Sequence, residues 1–427
     1  MRYRPDYMKP ALRIISVIYI ICILFSISSR AQDHGKILIG MSAPFSGPSR
    51  DLGIELYNGM TAYLDYVNKN GGVNGKKIEL IAYDDGYNPL PAINNTLKLI
   101  DQDNVFLLVS YVGTPTVTRV LPVLKIYEDK DVFLFFPFTG AEPQRQAPYK
   151  DYVFNLRPSY IQETAGLVNN LVKIKKPNIA VFYQADAYGR SGWDGVRRAL
   201  DKHGLDIVAE ATYHRGAEFD SSFSEQVDII KRAEPDAVIS IGAYEASAGF
   251  VRDAREGGLD VPIANVSFVG SESMLELLLQ AGQENSKDYT QNLINSEVVP
   301  NYLDSSIPAV MEYRDLMAEY SPRMPDTVET GNAHAHISEN KKDKYGFVSF
   351  EGFLNAKLLV EALNRLGGEL DKDKIKRTVE NISDYDIGLG EYVSFSANNN
   401  QGLSRVYYNT AENGRYVPIK NWSIFEK

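Results

Sequence analysis

In this 427-residue chain the side chains whose types and settings could do chemistry are Thr114, Thr116, Thr139, Tyr188, Tyr244 and Glu272. Gly113-Thr114-Pro115-Thr116 follows an apolar strand pattern at 105–109 (VFLLV) and precedes a helical pattern at 115–129. Thr114 suits a helix N-cap and Pro115 the first helical position, which leaves the backbone N–H groups of Thr116 and Val117 free. With the positive end of the helix dipole they form an anion site of carboxylate size, and the hydroxyls of Thr114 and Thr116 add donors. Phe138-Thr139-Gly140 follows the next strand pattern, offering a hydroxyl at Thr139 and close backbone approach at Gly140. Tyr188 (in DAYG) and Tyr244 (in GAY) also stand after strand patterns, where an aromatic face can pack on a ligand or hold a cation. Glu272 follows the strand pattern at 262–268 and suits an ammonium group. Each feature has a plain alternative: an ordinary cap at Thr114, a turn at 138–140, a capping box of Ser273 with Glu276 beside Glu272. As a set they are complementary to a zwitterion.

Signatures of covalent chemistry are scarce. There is no Gly-x-Ser-x-Gly elbow, no phosphate loop and no Gly-x-Gly-x-x-Gly after the first strand pattern. His334-Ala335-His336 lacks a third ligand at helical spacing and reads as a solvated loop, so no metal is expected. Asp84-Asp85-Gly86 ends a strand pattern as ordinary turns do. The one cysteine, Cys22, sits inside an N-terminal apolar run, preceded by Ile21 and followed by more apolar residues, which is not the setting of a lipidation signal. No cofactor is implied.

The elements that must carry these residues alternate. Strand patterns at 36–41, 77–83, 105–109 and 132–136 are separated by helical patterns at 53–70, 89–102 and 115–129. The alternation changes phase near 140–160 and restarts, with strands at 178–183, 205–211, 236–241 and 262–268 and helices at 191–203, 221–233 and 245–256. Near-continuous apolar strands between helices imply parallel sheets covered on both faces, and the restart implies two doubly wound α/β lobes. Helical patterns follow at 308–320, 350–366 and 371–381, then short β segments at 391–395 and 403–408. The polar stretch 322–345 reads as a surface loop insertion.

Arg2, Arg4, Lys9 and Arg13, an apolar run at 14–27 and Ser29-Arg30-Ala31 have the layout of a secretory signal peptide over 1–31. The apolar run is short for a membrane span, although an uncleaved N-terminal anchor is the alternative reading. Cleavage would leave 396 residues with a net charge near −14, which argues against nucleic acid or an anionic membrane as partner.

Several segments together resemble type I periplasmic binding proteins of the Leu/Ile/Val-binding class. They are 39–48 (IGMSAPFSGP), 70–77 (NGGVNGKK), Asp84-Asp85, 99–103 (LIDQD), 111–116 (YVGTPT), 136–142 (FPFTGAE), 180–189 (AVFYQADAYG), 235–244 (PDAVISIGAY), 268–272 (FVGSE) and 349–354 (SFEGFL). The resemblance implies two Rossmann-like lobes joined by three hinge crossovers near 156, 300 and 388. Lobe one is then 36–156 with 300–388, and lobe two 157–299 with 389–427. It also implies a periplasmic receptor that closes on a small solute and hands it to a membrane ABC permease. A ligand-sensing receptor coupled to a membrane signalling partner is the alternative, and a hydrolase on the same fold would need a nucleophile–base pair in the cleft. The family's carboxylate-binding helix start matches Gly113, Thr114, Pro115 and Thr116, and its strand-end segment matches Phe138, Thr139 and Gly140. Its cleft tyrosines match Tyr188 and Tyr244, and its ammonium-binding glutamate matches Glu272. The chain departs from the family at Leu52, where the first loop carries an aromatic, at Thr-Pro-Thr for a serine-rich turn, and in lacking the family's disulfide.

Overall fold

The computed structural model describes residues 35–328, 345–368 and 370–426. The expected signal peptide, most of the 322–345 insertion and the His334–His336 pair lie outside the described residues.

The first unit alternates β1 (Ile37–Ala43), α1 (Arg50–Lys69), β2 (Ile78–Asp84), α2 (Pro89–Asp101), β3 (Leu107–Val109), α3 (Thr114–Ile126), β4 (Leu134–Phe135) and β5 (Val153–Phe154). Its sheet runs β2-β1-β3-β4-β5 with every pairing parallel. The chain continues through α4 (Tyr160–Lys173), β6 (Ile179–Gln184), α5 (Ala187–Asp201), β7 (Ala209–Tyr213), α6 (Ser224–Lys231), β8 (Ala237–Ile241), α7 (Tyr244–Glu256), β9 (Ile263–Asn265), α8 (Ser271–Asn285) and β10 (Leu293–Glu297). Then come α9 (Pro308–Glu319), α10 (Phe347–Leu366), α11 (Lys372–Glu380) and the short pair β11 (Tyr385–Asp386) and β12 (Tyr392–Val393). Finally β13 (Tyr407–Glu412) and β14 (Arg415–Pro418) close a seven-stranded sheet of order β14-β13-β10-β9-β8-β6-β7. Within it only the β10–β13 and β13–β14 pairings are antiparallel. Two parallel sheets flanked by helices are what the βα alternation implies, because strands buried on both faces must be apolar throughout.

Boundaries moved where side chains on loops take part in caps. α5 starts four residues before the expected 191, because the Asp186 side chain accepts from Tyr188 N and caps it. Tyr188 therefore lies in the first turn of a helix. β10 escaped the periodicity reading because its buried residues Asn295, Ser296 and Glu297 are polar. α4 escaped it because Glu163 and Thr164 interrupt the apolar stripe. Its signal was the capping box of Ser159 with Gln162, in which the side chain of each bonds the other's backbone.

Crossings between the sheets run side by side. Asn155 N donates to Asn400 O at 2.7 Å, and Leu403 N donates to Leu156 O at 2.8 Å. Arg145 ties them: it donates to Gln401 Oε1 at 2.5 Å and to the carbonyls of Arg157 and Pro158. Two residues of the stretch 389–427, expected with the second lobe, contact the first sheet, Phe395 and Asn400. The Phe395 ring meets Phe136 at 6.4 Å and Phe154 at 5.7 Å, and Asn400 Nδ2 donates to Val153 O. The chain joins the second sheet only at β13.

α10 crosses α1 at close range through two glycines. A Cβ on Gly59 would fall 1.8 Å from Ser349 O, and one on Gly352 would fall 2.2 Å from Leu56 O. Backbone meets backbone at both points, so a side chain forces the helices apart. Gly352→Val should lower stability by about 3 kcal/mol in urea denaturation, the upper part of the overpacking range. An unchanged midpoint would show that the helices can separate without loss.

Candidate functional site

The loop after β3 turns sharply at Gly113, whose φ of 101° lies in the region that favours glycine. A Cβ there would fall 2.2 Å from Tyr87 Cε2. Gly113, not Thr114, is the N-cap of α3, with Thr114 and Pro115 inside the first turn. Val117 N consequently donates to Gly113 O at 3.0 Å, so the N–H groups left without an intrahelical acceptor belong to Thr114 and Thr116. The expectation for Thr116's hydroxyl is also corrected. It donates to Val112 O at 2.5 Å and to Gly113 O at 2.8 Å, back-bonding to its own turn.

Thr114 and Thr139 do meet. Their hydroxyl oxygens are 2.7 Å apart and both side chains are buried. Gly140 allows a close approach, but what approaches is Tyr160. Tyr160 N donates to Gly140 O at 2.7 Å, and a Cβ on Gly140 would fall 2.8 Å from the ring's Cδ1. Phe138 and Tyr188 belong to one aromatic cluster, with Phe268 at its centre. Phe268 lies 5.2 Å from Phe138, 4.7 Å from Tyr188 and 5.9 Å from Tyr87. Tyr160 packs on Tyr188 at 5.4 Å. These rings come from both units, so the cluster spans the cleft. The segment 268–272 drew attention only for Glu272, yet Phe268 from the same turn joins the two halves.

Tyr244 opens α7, and its hydroxyl accepts from Asp51 N in α1 at 3.4 Å. Nearby, Leu52 Cδ2 comes within 2.7 Å of where a Cβ on Gly270 would be. Leu52 is thus a cleft residue that meets the opposite unit.

Glu272 lies in the first turn of α8, behind the N-cap Gly270. The capping box suggested for Ser273 does not form, since Ser273 donates instead to Glu55 Oε1 at 3.2 Å. Glu272 Oε2 accepts from Phe347 N at 3.2 Å, at the start of α10. Its Oε1 is buried and has no hydrogen-bond partner among the described residues. Glu55 Oε2 and Glu272 Oε2 each lie 3.2 Å from where a Cβ on Gly346 would be, so two carboxylates face one glycine. Burial first, and then the Glu55 charge, push the Glu272 carboxyl up to about 8.

Sequence reasoning passed over the charged residue at the centre. Arg157 is 1% exposed, and its guanidinium stands 3.5 Å from Glu163 Oε1 and 3.6 Å from Glu351 Oε1. It also donates to Ser267 Oγ and lies 4.7 Å from the Phe138 ring centroid. Its only sequence signal was an arginine before proline at the change of phase. Burial pushes Glu351 up to about 7 against the pull of Arg157.

The geometry provides hydroxyls and a helix start on one side, a carboxylate with a vacant oxygen on the other, and aromatic faces between. That inventory binds and orients. Among the described residues, no group of three His, Cys, Asp or Glu side chains is arranged to hold a metal ion.

The profile of a family described as periplasmic binding protein matches residues 36–415. The chain is similar to an amino acid binding protein of Pseudomonas aeruginosa, 27% identical over 226 residues, which are 52% of this chain and 58% of that protein's length. It is similar to Leu/Ile/Val-binding protein homolog 7 of Brucella suis, 23% identical over 411 residues, covering 92% of this chain and 93% of the relative. Among solved structures it is similar to a possible leucine/isoleucine/valine-binding protein from Rhodopirellula baltica, with 30% identity, a TM-score of 0.79, and coverage of 92% of this chain and 98% of that one. The chain belongs to the type I periplasmic binding proteins of the Leu/Ile/Val-binding family, which are built of two lobes.

Proposed function

We propose that this protein is a periplasmic receptor that captures an amino acid or a related small carboxylate and delivers it to a membrane ABC importer, without chemistry on the solute. One observation carries the reading: Glu272 presents a buried oxygen with no hydrogen-bond partner among the described residues. A buried carboxylate oxygen calls for a donor, and a cation is the strongest. The Thr114–Thr139 pair and the start of α3 supply the opposite preference, for an anion. A ligand carrying both charges satisfies both ends. The names of the relatives from Pseudomonas aeruginosa and Brucella suis support the same ligand class.

In this reading lobe one is 36–156 with 300–388, lobe two is 157–299 with 389–427 apart from the segment packed on the first sheet, and 1–31 is an export signal. The ligand-binding set is Gly113, Thr114, Pro115, Phe138, Thr139, Gly140, Tyr188, Tyr244 and Glu272, with Thr116 contributing through its backbone.

Thermal melting of the purified protein against a panel of amino acids, aliphatic and aromatic acids and small amides tests the reading. A ligand at about 100 times its Kd adds about 2.7 kcal/mol, a shift of several degrees. Shifts confined to amides or to acids without an amine would overturn the amino-acid assignment.

Glu272→Gln should weaken an amino acid by about 1.5–3 kcal/mol in calorimetry, the range for a hydrogen bond to a charged group. Unchanged affinity would reduce Glu272 to a residue of the helix start.

Affinity should also depend on pH. With its carboxyl raised to about 8, Glu272 is largely protonated at pH 6, and an ammonium must displace that proton. Binding therefore tightens as pH rises from 6 towards 8 and levels off above it, by at most about tenfold per pH unit. Glu272→Gln removes the slope, and a slope that survives the substitution assigns the proton elsewhere.

A further inference from the structure

We propose that Arg215, with Asn88 and Tyr87, forms a latch between the two halves of the molecule that sets how long a captured solute is retained. The inference rests on the receptor reading above, and it adds a direct contact between the halves that is independent of which solute lies between them.

The turn after β2 supplies one side of the latch. Asp84 Oδ1 accepts from Gly86 N at 2.9 Å and from Phe45 N at 2.8 Å, and Asp85 Oδ1 accepts from Tyr87 N at 2.8 Å. Held this way, Tyr87 stands at φ 61°, in the left-handed region that a bulky residue seldom occupies. Such strain persists where the surroundings over-determine it, and it gathers at functional sites. Asp84-Asp85-Gly86, an ordinary turn by sequence, therefore aims a ring. The Tyr87 ring is buried, lies against Gly113, and reaches Phe268 of the β9–α8 connection at 5.9 Å.

The second sheet supplies the other side. Gln184 ends β6 and is buried. Tyr213 Oη donates to its Oε1 at 3.1 Å, while its Nε2 donates to Asp186 Oδ2 at 2.7 Å and to Tyr87 Oη at 3.5 Å. Arg215, in the turn after β7, donates to the same Asp186 Oδ2 at 3.4 Å and, across to the loop of the first sheet, to Asn88 Oδ1 at 3.4 Å. Its guanidinium lies 5.8 Å from the Tyr87 ring centroid. One arginine thus meets an amide oxygen and an aromatic face of the opposite half, with Asp186 matching its charge from behind.

Arg157 also joins distant segments, but it is sealed inside with its charge paired to Glu163 and Glu351. Arg215 differs in kind. Its side chain is 28% exposed and both of its bonds are long, so each is weak and separable, as a contact that must open requires. Contacts that exist only while two surfaces are together act on release more than on capture.

The test separates the two rates. Isotope chase of radiolabelled L-leucine and L-phenylalanine gives the dissociation rate, and calorimetry gives Kd. In Arg215→Ala and in Asn88→Ala the dissociation rate should rise about fivefold, with the association rate within about twofold of wild type. The double variant should release the solute no faster than Arg215→Ala, because both substitutions remove the same contact. An unchanged dissociation rate in Arg215→Ala overturns the proposal. So do additive effects, which place the two residues in separate roles. A faster release accompanied by a lowered Tm of the protein without solute also overturns it, since that marks a structural role for Arg215 at Asp186. If wild type binds neither amino acid, the amino-acid reading fails, and small-angle X-ray scattering of the protein alone decides the latch. A larger radius of gyration in both variants than in wild type upholds it, and equal radii overturn it.

Discussion

Arg157 has its guanidinium buried between Glu163 on α4 and Glu351 on α10, with Ser267 of the β9–α8 connection completing the contact. A charge taken out of water must be paired, and removing either partner of such a buried pair costs about 3–5 kcal/mol. The three partners come from helices and a loop on both sides of the crossing, and Arg157 itself stands at the crossing. Their positions are therefore tied at one point. Glu163 is itself held by Ser267 N and Ser296 Oγ, both at 2.8 Å, so the anchor extends into the second sheet. Arg145 repeats the device nearby with neutral acceptors, joining the first crossing to Gln401 in the last.

Against that fixed end the cleft is electrically lopsided. The first lobe brings hydroxyls and a helix start. The second brings Glu272, which Glu55 and its own burial hold towards the neutral form. Between them Phe268 joins Phe138 to Tyr188, filling the gap with ring faces. In the proposed receptor, opposed preferences across an apolar spacer would select a ligand by the separation of its charges as well as by their signs.

The sequence by itself determined the two sheets and the loops that face each other. Runs such as Val105–Val109, apolar on both faces, can only be interior parallel strands, and ligand-facing loops follow from the ends of such strands. Glycine, threonine and tyrosine at those ends were legible as residue types whose requirements are local, such as close backbone approach at a glycine and a hydroxyl at Thr139, whereas the Asp186 cap that starts α5 just before Tyr188 was not. What only the tertiary structure decided is which of these groups point at one another. Thr116 turned back to its own carbonyls, Gly140 gave its space to Tyr160, and Leu52 met Gly270 across the cleft. Glu351 is far in the chain from Arg157 and Glu163, and each of the three individually looks like a surface charge. Their burial follows from long-range packing that no local pattern encodes, since a charge is stable inside a protein only when partners from distant segments arrive together.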